Sequence, residues 1–136
     1  MDDQNYYSTF IEVADDCPLN SAEIPEQKSD GMSVPALQYE LISENPYLYT
    51  QEDIIFEVFV IRNEIVEEDF AAEREKLFSR GQPCLRSSSL GKRYGWGIHC
   101  NEQGRVAIYA MESDEYRKFA SDPKLKHMKA MRSKRV

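Results

Sequence analysis

The sequence predicts an α+β fold: a small antiparallel sheet of three or four strands with helices packed on one side. Three observations carry that expectation. Residues 94–111 read as a β-hairpin in which one register gives a continuous apolar face. Residues 7–13 (YSTFIEV) are β-branched and aromatic, as strands are. Residues 67–81 open on Glu67-Glu68-Asp69 and close on Arg80-Gly81, which suits the charge preferences of a helix and a left-handed stop.

Taken in order, the first strand ends at Asp15-Asp16-Cys17-Pro18. Asn20 or Ser21 caps a short turn that Pro25 stops, and residues 26–31 form a polar surface loop. Ser33 caps a helix with Pro35 in its first turn, a position proline tolerates. Leu37, Leu41 and Ile42 then share a face; the alternation Leu37-Gln38-Tyr39-Glu40-Leu41 also suits a strand, and the helix is preferred. Asn45-Pro46 ends it. Thr50-Gln51-Glu52-Asp53 resembles a capping signature that opens a single turn. Ile54 to Ile61 (IIFEVFVI) is nearly continuous and β-branched, so it is expected as a central strand buried on both faces. Phe70, Leu77 and Phe78 give the following helix its apolar side.

In the hairpin, Glu102-Gln103-Gly104 fits a three-residue loop with glycine in the left-handed position, setting Asn101 opposite Arg105. Trp96, Ile98 and Cys100 then share a face with Val106, Ile108 and Ala110, while Gly95, Gly97, His99, Ala107 and Tyr109 occupy the other. Ser113 caps a helix to about Ser121, and Asp122-Pro123 signals a final one. The organisation expected is one domain over residues 1–123 with a basic, helical tail over 124–136.

Length and charge bound the function. A chain of 136 residues supports one core. No apolar run approaches the roughly 20 residues of a membrane helix, and the start Met1-Asp2-Asp3 is unlike a secretory signal. The three cysteines, Cys17, Cys84 and Cys100, are widely spaced and odd in number, which suits reduced thiols in the cytoplasm. Residues 1–75 hold 3 Lys and Arg against 19 Asp and Glu, and residues 76–136 hold 14 against 5. The two halves either pair with each other in the fold or leave a basic face for an anion.

Residues 81–99 (GQPCLRSSSLGKRYGWGIH) concentrate the chemistry. No acid occurs between Glu75 and Glu102, and guanidinium, hydroxyl and glycine-rich backbone donors fall together. Such donors hold phosphates and carboxylates. The expected ligand set is Arg86, Ser88, Lys92, Arg93, Trp96, His99 and Tyr109, with a small anion as ligand. The competing expectation is a solvated loop whose cations pair with the acidic half. Gly95, Gly97 and Ala107 form either the floor of a pocket walled by His99 and Tyr109, or a flat seat for a helix. Cys84 with His99 is the candidate nucleophile and base of an enzyme alternative, with Arg86 favouring the thiolate. Self-association through the two oppositely charged halves is a third reading. The spacings of a P-loop, a dinucleotide fingerprint and a zinc site do not occur, so no cofactor or metal is indicated. The cations of 124–136 suit contact with nucleic acid or a membrane surface less well than docking on the chain's own acidic surface, since the rest of the chain is strongly acidic.

Several motifs together resemble a family of small proteins of unknown function, mainly bacterial and fungal. They are Asn5-Tyr6-Tyr7-Ser8-Thr9-Phe10-Ile11, Asp16-Cys17-Pro18, Glu23-Ile24-Pro25, Asn45-Pro46-Tyr47 with Tyr49-Thr50, Gly81-Gln82-Pro83-Cys84-Leu85-Arg86, and Lys92-Arg93-Tyr94-Gly95-Trp96-Gly97-Ile98-His99. The last two are the most specific. The resemblance spans nearly the whole chain and supports one domain; it implies no activity and no catalytic residues.

Overall fold

The computed structural model describes residues 5–26 and 33–133, and among these four strands and five α-helices succeed one another. The strands are β1 (Thr9–Glu12), β2 (Trp96–Cys100), β3 (Val106–Ala110) and β4 (Lys126–Lys129), in spatial order β3-β2-β1-β4. The helices are α1 (Val34–Glu44), α2 (Gln51–Asn63), α3 (Phe70–Phe78), α4 (Ser89–Lys92) and α5 (Asp114–Ala120). This is the α+β class expected. The loop expected over 26–31 lies, from residue 27 on, outside the described residues, as do residues 134–136 of the tail.

The hairpin has the anticipated register. Trp96 faces Ala110, Ile98 faces Ile108 and Cys100 faces Val106. The Asn101 N–H donates to the Arg105 carbonyl at 2.9 Å, and Gly104 takes φ +78° in the loop. β1 pairs antiparallel with β2, setting Ile11 against Ile98 and Phe10 against His99. One face of the sheet therefore carries Ile11, Ile98, Cys100 and Val106, each at most 1% exposed. Against it pack Leu37 and Ile42 of α1, Ile54 and Val58 of α2, and Leu85 and Leu90 around α4.

Several expectations are corrected. Residues 54–61 are helical, not a strand. Thr50 and Asp53 form a reciprocal capping box, with Thr50 Oγ1 accepting the Asp53 N–H and the Asp53 carboxylate accepting the Thr50 N–H. That box opens the whole of α2 and not a single turn. The run is apolar on more than one side because Ile54 and Val58 join the sheet-side core while Phe56 meets Phe70 of α3 edge-on at 5.6 Å. A helix covered on several sides loses its amphipathic stripe.

Residues 126–129 form a strand, not a helix. β4 runs parallel to β1 with Met128 beside Ile11, so the sheet is mixed. Helices also cover both faces of the sheet, because α5 lies on the side opposite α1, α2 and α4. Phe10 of β1 stacks with Phe119 at 5.6 Å and meets Tyr116 edge-on at 5.0 Å. Finally, α3 closes through Ser79 in a right-handed conformation (φ −69°), so Gly81 is not a left-handed stop. At 20–25 the chain bends at Asn20 and Ser21 and then runs on without a hydrogen-bonded turn, the Glu23 N–H donating to the Tyr94 carbonyl at 2.9 Å.

Candidate functional site

The face of the sheet under α5 holds the most concentrated polar chemistry. Strand alternation aims His99 and Tyr109 to that side, with Phe10 and Ala107 beside them. Asn45 ends α1, its Nδ2 donating to the Leu41 carbonyl at 2.9 Å. The chain then reverses through Tyr47 at φ +61°. Two backbone bonds fasten this turn to β3: Tyr47 N–H to the Val106 carbonyl at 2.9 Å, and Val106 N–H to the Tyr49 carbonyl at 2.8 Å. A left-handed backbone is an outlier for a bulky side chain and persists only where its surroundings fix it. Here it delivers the Tyr47 hydroxyl to 2.8 Å from His99 Nδ1 and 2.7 Å from the Tyr109 hydroxyl.

Burial sets the protonation of this cluster. It holds the His99 imidazole below its ordinary value, opposed by the Asp122 carboxylate, so the ring is neutral at pH 7. Burial, then the bond to Tyr109, raises Tyr47 well above the usual phenol range. Both groups are therefore uncharged. A hydroxyl with one proton between two partners gives two orderings of the chain. If Tyr47 donates to Nδ1, His99 carries its proton on Nε2; if Tyr47 donates to Tyr109, Nδ1 carries it and Nε2 is a lone-pair acceptor. Nε2 has no protein partner among the described residues, so either form can be offered to an occupant. Phe119 of α5 stacks on the imidazole at 4.1 Å and 18°, fixing its plane.

Beside His99 lies an open groove of about 420 Å³, lined by Ser8, Glu102, Phe119, Asp122 and Lys124 among others. Ser8 is a second left-handed residue (φ +46°), donating to the Asn101 carbonyl and accepting the Lys126 N–H. Of the three such non-glycine residues described, Glu64 is the C-cap of α2, while Tyr47 contacts His99 and Ser8 lines the groove with it.

The other expected ligand residues are dispersed. Ser88 is buried; it caps α4 and donates to Gln38 Oε1 at 2.6 Å. Trp96 points to the face opposite His99, donating from Nε1 to the Glu23 carbonyl at 2.8 Å and lying 5.2 Å from the Tyr39 ring. Arg86 Nε donates to the Lys129 carbonyl at 2.8 Å, and its own carbonyl accepts the Met131 N–H. Lys92 closes α4 and Arg93 is its exposed C-cap. Only His99 and Tyr109 of the set meet through a shared partner. Cys84 precedes Leu85 in the core on the other side of the sheet from His99, and the Tyr6 hydroxyl is pushed up to about 12 by burial first and by the nearby Cys84 second. Gly97 and Ala107 seat a helix: a Cβ on Gly97 would stand 2.5 Å from the Tyr116 ring. Tyr47, Ser8, Phe119 and Asp122 are not among the residues expected at the site; Tyr47 and Ser8 fall within the family-like motifs, and Asp122 within the Asp122-Pro123 helix signal.

These features define a small α+β domain whose mixed sheet, covered by helices on both faces, carries a half-buried Tyr-His-Tyr cluster at the edge of a groove. Among the described residues no helix is long and apolar enough to cross a membrane. The chain belongs to the family of unknown function DUF6157, whose family model matches residues 1–136. No curated protein and no solved structure matches the chain.

Proposed function

We propose that this domain binds a small polar molecule in the groove beside His99, with His99 Nε2 as its central hydrogen-bonding group. The Tyr47 hydroxyl, held by a left-handed backbone between His99 Nδ1 and Tyr109, carries the reading. A recognition or acid–base imidazole needs one nitrogen oriented by a partner and the other open to an occupant, and His99 has both. Glu102 and Asp122 outnumber Lys124 in the lining, which favours a neutral or cationic ligand over the anion expected from composition. A thermal-shift screen of polyols, sugars, amines and amides, followed by NMR of the His99 ring, tests this. Binding that moves the His99 resonances and disappears in His99→Gln supports it. Ligands that bind equally to His99→Gln, or a full panel without effect, reject it.

A second reading keeps an anion at Arg86. Its Nε is committed to the Lys129 carbonyl, which leaves both Nη groups for an anion, and Arg132 lies near enough to Lys129 to act on its charge. Asp15 competes there, since it already pairs with Lys129 at 2.7 Å. A rise in melting temperature with phosphate or sulfate that Arg86→Ala removes is the expected signature; indifference of the wild type to both anions discards it.

A further inference from the structure

A second cavity, of about 420 Å³, lies among α1, α2, α3 and residues 82–83, and shares no lining residue with the His99 groove. That volume falls within the roughly 300–1,000 Å³ of small-molecule sites. Ile55, Val58, Phe59 and Leu77 give it apolar walls. Its polar groups are few and specific. Arg62, in the last turn of α2, is the single charged residue of the lining, on a chain of formal net charge −7. The ion pairs among the described residues do not use it.

Gln38 is the second polar feature. It is 8% exposed and lines the cavity. Ser88 Oγ accepts the Leu90 N–H at 3.1 Å, so its own hydrogen goes to Gln38 Oε1 at 2.6 Å. The carboxamide is thereby oriented, and its Nε2 has no protein acceptor among the described residues. That Nε2 is not sealed from solvent, so it opens to the cavity and can donate to whatever occupies it.

We propose that this cavity is a binding site for a small amphipathic carboxylate. The hydrocarbon part packs against Val58, Phe59 and Leu77. The carboxylate takes the guanidinium fork of Arg62, the geometry that best fits a planar anion. Gln38 Nε2 donates to an acceptor of the ligand. An uncharged amphiphile of the same length gains the apolar contact alone, which makes charge the discriminating property.

Octanoate and 1-octanol serve as probes, titrated into the 15N-labelled full chain and followed by two-dimensional NMR. Octanoate is expected to shift amides lining the cavity and to bind more tightly than octanol. Arg62→Ala should weaken octanoate roughly tenfold or more, as loss of a charge-assisted hydrogen bond does, and leave octanol unchanged. Arg62→Lys, which keeps the charge and loses the fork, should fall between. Arg62 is exposed, so these variants keep the wild-type spectrum, which the same experiment verifies. Equal affinity for the two probes, an Arg62→Ala variant that binds octanoate like the wild type, shifts confined to other surfaces, or no binding at millimolar octanoate each overturn the proposal.

Discussion

Replacing Tyr47 by Phe removes one oxygen and tests the cluster directly. Phenylalanine keeps the ring and the left-handed backbone, so the change isolates two hydrogen bonds, at 2.8 Å to His99 Nδ1 and 2.7 Å to the Tyr109 hydroxyl. An intramolecular hydrogen bond contributes about 0.5–1.5 kcal/mol net. Tyr47 is half-buried, so water recovers part of the loss, and about 1–2 kcal/mol is expected for the pair. With an unfolding entropy of about 2.1 cal/mol/K per residue, a 136-residue chain has about 0.3 kcal/mol/K, so the melting temperature should fall by about 3–7 °C. Calorimetry on Tyr47→Phe, Tyr109→Phe and the double variant separates the shared bond from its neighbours. The double variant should lose less than the sum of the single ones, because the Tyr47–Tyr109 bond is deleted in both. Melting temperatures of the single variants within about 1 °C of wild type, or losses that simply add, would show that the hydroxyls are not joined and would remove the physical basis for the His99 site.

Three other outcomes follow from the same structure. Gly97→Ala places a methyl 2.5 Å from the Tyr116 ring and 2.8 Å from Phe10, and should cost about 1–3 kcal/mol by urea unfolding; a wild-type midpoint would mean that α5 does not sit on the sheet. Thr50→Ala deletes one arm of the capping box of α2 and should cost about 1 kcal/mol, with Thr50→Ser restoring most of it; an alanine variant as stable as wild type would refute the cap. Burial holds His99 below 6.5, so between its native value and 6.5 the unfolded chain binds more protons, and stability is lost as pH falls through that window. Denaturant midpoints from about pH 7.5 down to about pH 5 should fall more steeply in the wild type than in His99→Gln, and parallel profiles would contradict a buried neutral imidazole.

What could be read from the chain was local in origin. The hairpin was legible because its loop fixes the register and alternation then fixes every face, so the joint orientation of His99 and Tyr109 followed from sequence alone. Ser33 and Ser113 were legible as caps, because a cap acts within three residues. The run Ile54–Ile61 was not: a buried helix and a buried strand both present unbroken apolar sequence. The deciding sign was the Thr50–Asp53 box, present in the sequence but too short to state how far its helix runs. β4 failed differently. Of Lys126-His127-Met128-Lys129 only Met128 packs on the core, so the strand comes from pairing with β1 more than 100 residues earlier, and Leu125 with Met128 mimicked a helical spacing.

The candidate site combines both cases. Its two sheet residues obey the period of a strand, and its third obeys nothing periodic. Tyr47 reaches His99 across 52 positions and Tyr109 across 62, from a turn whose conformation a tyrosine rarely adopts. Propensity argues against that backbone, and only the tertiary bonds to β3 hold it. A residue placed against its own preference, with its hydroxyl delivered to an imidazole, is where local rules are expected to fail for functional reasons. The same mismatch makes Tyr47, more than any cation of residues 81–99, the position whose substitution should separate a bound ligand from a merely stable fold.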